Sequence, residues 1–176
     1  MKKMRKGFTL VELLIVIAIL GTMSAMMATS STDAIDSSTA SAILNNLQTM
    51  KAAAFQMYMY DPEIASLGKF ALDNASVTNE EGYTPDEILA SSYLGKATLG
   101  AKYGLIASAS SWYVVYTMDA EDNLIVRSKL AARAAEAGLY GTTTKPSEAA
   151  DNCGFSVDYA GTEAAGATVY IALKVR

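Results

Sequence analysis

Between Phe8 and Ala28 the chain carries a single charge, Glu12, in a run that is otherwise apolar or small. About 20 residues rising roughly 1.5 Å each cover the ~30 Å hydrocarbon core of a bilayer, so this stretch is long enough to cross one as a helix. Four cations, Lys2, Lys3, Arg5 and Lys6, stand immediately before it. Clustered Lys and Arg stay on the cytoplasmic side, which places everything after Ala28 outside. A secretory signal peptide also starts basic, but its apolar core is about 7–15 residues and its small-residue cleavage site lies at the far end. Here the unusual residues are at the front, with Gly7 where the charges meet the apolar run and Glu12 one helical turn beyond Phe8.

Lys6-Gly7-Phe8-Thr9-Leu10-Val11-Glu12, followed by Leu13-Leu14-Ile15-Val16-Ile17, resembles the start of type IV prepilins and of the related pseudopilins of type II secretion. The resemblance implies that a prepilin peptidase cuts between Gly7 and Phe8 and N-methylates the new Phe8 terminus, with Glu12 serving as an assembly contact. It also implies an α+β, type IV pilin-like fold, in which a long N-terminal α-helix spans the membrane with its first half and packs on a small antiparallel β-sheet with its second. On this basis residues 1–7 are a cleaved leader and residues 8–28 the transmembrane part of the helix. Residues 29–60 are its amphipathic part and residues 61–176 the globular head. The implied partners are the prepilin peptidase and methylase, copies of the chain and other pilins in a filament, an assembly platform protein with its ATPase, and the cytoplasmic membrane before assembly. The head would stand outside the cytoplasm and pass into an extracellular pilus or a periplasmic pseudopilus.

Glu12 is the residue whose presence most needs a reason. A carboxylate in a membrane-spanning helix costs on the order of 2.5–3.5 kcal/mol at the centre and less near an end, and it commonly marks a partner. Two geometries are open to it once Phe8 carries the free amine. The carboxylate can reach back to its own first turn, where N–H groups are unsatisfied and the helix end is positive. Alternatively it can pair with the amine of a neighbouring subunit, the role implied by the family resemblance. Glu12 lies about 6 Å along the axis from Phe8, so each neighbour would be shifted by roughly that much. A contact of this kind that does not close generates an open filament. Ala18, Gly21, Ala25 and Ala28 add a stripe of small residues on one side of the helix, which permits close helix approach in lipid.

The chain's net charge is −4, and loss of the four leader cations leaves −8. An acidic exterior of this kind does not indicate nucleic-acid binding, which needs clustered cations for phosphate. Cys153 is the only cysteine, so no intrachain disulfide forms, and the two-cysteine staple common in pilin C-terminal loops must be replaced by other contacts. A small buried hydrophobe is the plain reading of that thiol. Histidine is absent, no phosphate-binding G-x-x-x-x-G-K-[ST] loop occurs, and no motif pairs a nucleophile with a base. The chain therefore reads as no enzyme, with no catalytic residues, no cofactor and no metal site assigned.

Beyond Ala28, Thr29 to Ala40 is rich in Ser and Thr, whose side chains compete for backbone hydrogen bonds and lower helix propensity without imposing a firm break. From Ile43 the helical period is clear: Ile43, Leu47, Met50, Ala54, Met57 and Tyr58 form one face. Asp61-Pro62 ends the helix, giving it a length of about 80 Å from Phe8 to Tyr60. Residues 63–111 carry little pattern apart from a short helix predicted at Pro85–Tyr93 behind a Thr84 cap. They correspond in position to the variable connection of pilins.

Trp112 to Met118 reads as a strand, Asp119 to Asn123 as a turn, and Leu124 to Arg127 as the returning strand of a hairpin. Ser128 to Ala137 is predicted helical with Gly138 as its stop, and Gly141 to Gly166 as loop. Val169, Ile171, Leu173 and Val175 alternate with Tyr170, Ala172, Lys174 and Arg176, predicting a one-face strand that joins the hairpin. Two acidic clusters, Asp119/Glu121/Asp122/Asn123 and Asp151/Asn152/Asp158, offer several oxygens at close spacing, but neither has EF-hand spacing. Solvated turns are the simpler reading. Three functions fit the sequence: a type IV pilus subunit, a type II secretion pseudopilin, and an accessory tip or binding subunit using residues 63–111 or 141–166.

Overall fold

One continuous helix, α1 (Leu10–Tyr60), dominates the computed structural model, which describes residues 8–60, 64, 68–72, 83–96, 99–120, 122, 124–163 and 166–176. The leader and the Asp61-Pro62 helix stop lie outside the described residues. Helix α1 runs unbroken through the Ser/Thr stretch. Its hydroxyls bond back to carbonyls of the preceding turn, Ser31 to Met27 at 2.9 Å, Thr39 to Ile35 at 3.0 Å and Ser41 to Ser37 at 2.8 Å, so they join the helical ladder instead of breaking it.

The second half of α1 lies on a four-stranded sheet made of β1 (Tyr103–Ala107), β2 (Trp112–Met118), β3 (Leu139–Thr142) and β4 (Val169–Lys174). The strand order is β1-β2-β4-β3 and every pairing is antiparallel. Ile43, Leu47, Met50, Ala54 and Met57 are buried at the predicted three- and four-residue spacing, with Tyr58 half-buried beside them. They meet Leu105, Trp112, Val114, Met118, Ile171 and Leu173 from one face of the sheet. At the far end Trp112 is held edge-on between Tyr58 (5.1 Å) and Phe70 (5.2 Å), which closes the core where α1 ends.

The hairpin partner of β2 is not the segment after it. Leu124 to Arg127 is the first turn of a second long helix, α3 (Leu124–Ala137), and β1 takes the edge of β2 instead, with Tyr103 opposite Tyr116 and Ala107 opposite Trp112. The physical reason is a competition of periods. Val126, Leu130 and Ala134 recur at four-residue spacing and are buried together against α1 and the sheet, and that burial overrides the β propensity of Leu-Ile-Val. The Ser128–Ala137 prediction was thus helical in type but four residues short at its start. Arg127, also buried, donates from Nη2 to the carbonyls of Asp119 (2.9 Å) and Ala167 (2.7 Å), tying the exit of β2 and the entry of β4 to α3. Gly138 ends α3 at φ +68°, as a helix stop requires.

Two further departures concern the C-terminal region. The predicted loop from Gly141 includes half of β3, whose strand character was hidden by its glycine. A Cβ at Gly141 would stand 2.5 Å from Tyr159 Cδ2, so the missing side chain is what lets the Tyr159 segment cross the strand. Strand β4 is also covered on more than one face. Val169, Ile171 and Leu173 enter the helix-side core, while Ala172 joins Ile106, Tyr113, Val115, Cys153 and Phe155 in a second, smaller core under the loop.

That loop has no staple and is closed by noncovalent contacts, as a lone cysteine demands. Phe155 packs on Tyr113 at 5.0 Å, and the Ser108 and Ser110 hydroxyls of the β1–β2 turn both donate to the carbonyl of Asp151. Cys153 is fully buried, and burial pushes its thiol pKa up, suppressing the reactive thiolate.

Helix α2 (Pro85–Ile88), continued by a π-turn at Leu89–Tyr93, confirms the predicted start. Thr84 Oγ1 accepts from the Glu87 amide and the Glu87 carboxylate accepts from the Thr84 amide, a complete capping box. The backbone hydrogen bond from Thr84, followed by that from its hydroxyl, lowers the Glu87 pKa. Leu130 is the natural probe of the α1–α3–sheet junction, since it is fully buried there. Leu130→Ala should cost about 2–5 kcal/mol, measured as a lower urea midpoint with unchanged slope in detergent-solubilised protein, whereas a change below ~1 kcal/mol would mean that α3 does not carry this core.

Candidate functional site at the start of α1

Phe8 and Thr9 precede the first helical residue, and the side chain of Phe8 is 85% exposed. Thr9 is the N-cap. Its amide donates to Glu12 Oε2 at 2.9 Å and its hydroxyl to the same oxygen at 2.7 Å, while Thr9 Oγ1 accepts from the Glu12 amide at 3.3 Å. The Leu13 amide closes the turn on the Thr9 carbonyl at 3.3 Å. The isolated chain therefore adopts the first of the two geometries open to Glu12, in which the carboxylate folds back on its own helix end. Two donors on Thr9 and the positive end of the helix reduce the need of this carboxylate for water.

Thr9 is the site residue that sequence reasoning missed. Its signal was nevertheless present, since Thr9-Leu10-Val11-Glu12 has the spacing of a capping box ahead of an apolar run. Of the other predicted residues, Gly7 lies outside the described residues, and Phe8 stands at the open end of the helix beside Glu12. From Leu10 through Met27 every residue of α1 is exposed, including Ala18, Gly21 and Ala25 of the small stripe. Nothing lies within 4 Å of a Cβ built at Gly21, so that flank is open in the single chain. This segment of α1 is long and apolar enough to cross a membrane.

Of the first acidic cluster, Glu121 and Asn123 lie outside the described residues, and Asp119 and Asp122 face a cation. Lys102 Nζ sits 2.9 and 2.7 Å from the two carboxylate oxygens of Asp122 and 3.1 Å from Asp119 Oδ2. An ammonium of the chain itself thus occupies the space between those carboxylates. The hydrogen bond to Asp122, offset in part by desolvation, raises the Lys102 pKa well above the ordinary lysine value. In the second cluster Asn152 Oδ1 accepts from the Gly154 amide at 3.2 Å, and the backbone of Asp158 forms a β-bridge with Tyr140. Among the described residues no group of three or more Cys, Asp and Glu side chains is arranged to hold a metal ion.

Residues 2–28 match the family model of the prokaryotic N-terminal methylation motif. No curated protein and no solved structure matches the chain. The chain thus carries the prepilin-type signal for cleavage and methylation at its start, and this signal implies processing by a prepilin peptidase. The signal lies on the same stretch of chain as the helix segment that is long and apolar enough to cross a membrane. Proteins carrying this signal in the pilin-like family are typically structural rather than enzymatic.

The Lys102 cluster makes a testable distinction between an internal counter-ion and a metal site. The raised lysine pKa means that its contribution is complete below about pH 10 and is lost only as pH rises through the folded-state value, so it is fully present at neutral pH. Millimolar calcium should leave the wild-type Tm unchanged. Lys102→Gln, which leaves two carboxylates facing each other, should lower Tm by roughly 2–4 °C at pH 7, the scale of a partly solvated ion network. A calcium-dependent rise in wild-type Tm would return the cluster to the metal-binding reading.

Proposed function

We propose that the chain is the structural subunit of a type IV pilus. Prepilin peptidase cuts between Gly7 and Phe8 and methylates the Phe8 amine. Residues 8–28 hold the subunit in the cytoplasmic membrane with the head outside, until a platform protein and an ATPase move it into a helical filament. The observation that carries this reading is the single carboxylate one turn from the new terminus, on a helix segment that is otherwise apolar and uncovered.

In the membrane, the capping geometry is a resting arrangement for Glu12. Its two bonds from Thr9 are local and neutral, whereas a methylated ammonium on the neighbouring Phe8 would offer a full charge in the same low-dielectric surroundings. Exchange of one for the other, repeated at a fixed axial offset, builds an open filament. The uncovered small stripe and apolar flank of α1 then supply the surface along which successive helices pack.

Two measurements bear on this assignment. Shear-purified surface filaments should contain the mature chain as their main component by mass spectrometry, and Glu12→Ala should be inserted and processed yet incorporated at least tenfold less well. Normal incorporation of that variant beside wild type would remove the charge-pairing step, and the presence of the chain only in short periplasmic filaments would make it a pseudopilin instead. Gly7→Leu should accumulate as a membrane-bound precursor that keeps its leader. Intact-mass detection of a mature Phe8 terminus in that variant would move the cleavage site elsewhere.

A further inference from the structure

Large apolar side chains that remain exposed lie mostly on α1. Among the described residues outside α1 and the Phe8 terminus they are Tyr83, Leu124, Ile125 and Val157, and only Leu124 (51% exposed) and Ile125 (46%) are adjacent. The pair occupies the first turn of α3, in the Leu-Ile-Val run whose third residue alone is buried. Neither the packing of the head nor the filament contact of Glu12 explains why this turn begins with exposed aliphatic residues.

Its position is informative. Lys129 pairs with Asp33 at 2.9 Å, and Arg133 Nη1 donates to Ser41 Oγ at 2.6 Å. Both contacts advance in the same direction along the two helices, so α3 runs alongside α1 with its first turn toward the membrane. Counting back from the Lys129–Asp33 and Arg133–Ser41 contacts places Ile125 level with residues 29 to 33 of α1, roughly 2–8 Å beyond Ala28. The headgroup layer outside the hydrocarbon is about 5–7 Å deep. Helical side chains lean toward the N-terminus of their helix, which carries Leu124 and Ile125 further toward the lipid.

The charges nearby are compatible with such a surface. Asp119 and Asp122 are both held by Lys102, and Asp33 is held by Lys129, so these carboxylates are already paired with cations. We propose that the first turn of α3 is a second, interfacial membrane contact of the unassembled subunit, with Leu124 and Ile125 seated in the phospholipid headgroup layer. The inference rests on the reading of residues 8–28 as a membrane span. Two shallowly buried aliphatic side chains give a weak and reversible contact, which would orient the head about its anchor and be released when the subunit leaves the bilayer.

The test uses the full chain reconstituted in phosphatidylethanolamine/phosphatidylglycerol vesicles containing a lipid-borne headgroup-depth quencher. A fluorophore is placed in turn on Leu124→Cys, on Tyr60→Cys, about 45–50 Å beyond Ala28 along the helix, and on Leu20→Cys within the span. Cys153 is fully buried and stays in place. The Leu124 label should be quenched about threefold more than the Tyr60 label, as expected for a site at interfacial depth. Equal quenching at Leu124 and Tyr60 with Leu20 shielded in lipid overturns this contact alone, whereas a Leu20 label accessible to an aqueous quencher overturns the anchor and the contact with it. Protection of Leu124 that appears only as the protein-to-lipid ratio rises would assign the patch to a second copy of the chain and also overturn the proposal.

Discussion

The seam formed by Ile43, Leu47, Met50, Ala54 and Met57 is the contact on which the other elements depend, because it couples a helix that extends far beyond the head to a sheet too small to stand alone. Every strand is short, and a four-stranded sheet with an open face needs a helix to exclude water from it. Helix α1 supplies that cover over its second half, and α3 completes it by packing alongside through Val126, Leu130 and Ala134. From Leu10 through Met27 the same helix is exposed among the described residues, and the proposed membrane span and filament packing would cover that apolar surface. A continuous helix satisfies its own backbone hydrogen bonds through both environments, so one element can serve in water and in lipid.

This division assigns different tasks to the two ends of the molecule. At the far end, Trp112 between Tyr58 and Phe70, with the Arg176 guanidinium 4.3 Å from the Tyr58 ring, closes the core. At the end nearer the start of α1, Lys102, Arg127 and Lys129 join the exit of β2, α3 and α1 through carboxylates and carbonyls. The head is thereby fixed on α1 at both ends, and a force applied along the helix would reach the sheet through packed side chains and ion pairs. The carboxylate of Glu12 lies outside this framework, engaged by Thr9 in its own first turn.

How legible all this was depended on the range of the forces involved. The N-terminal region is governed by local rules, in which a leader charge, a glycine and an apolar length each act within a few residues of one another. The seam of α1 was equally readable because its 3.6-residue period persists over four turns. Leu124 to Arg127 was misread because Leu-Ile-Val favours a strand when judged by itself, and only the partners of Val126, Leu130 and Ala134 reveal the helical face. Strand β1 escaped notice since Tyr103 to Ala107 is short and contains glycine, and its pairing with β2 is what makes it a strand.

The amino-acid sequence alone determined the processing signal, the membrane-crossing length and the amphipathic half of α1, because each depends on composition and period along one segment. The tertiary structure decided which strand pairs with β2, that β4 lies between β2 and β3, that the lone thiol is buried beneath the C-terminal loop, and that Lys102 fills the space between two aspartates. Each of those depends on residues far apart in the chain competing for the same surface, a competition settled only when the whole head is packed. Glu12 belongs to both accounts. Its presence in an apolar helix was a matter of sequence, while its engagement by Thr9 required the geometry of the first turn.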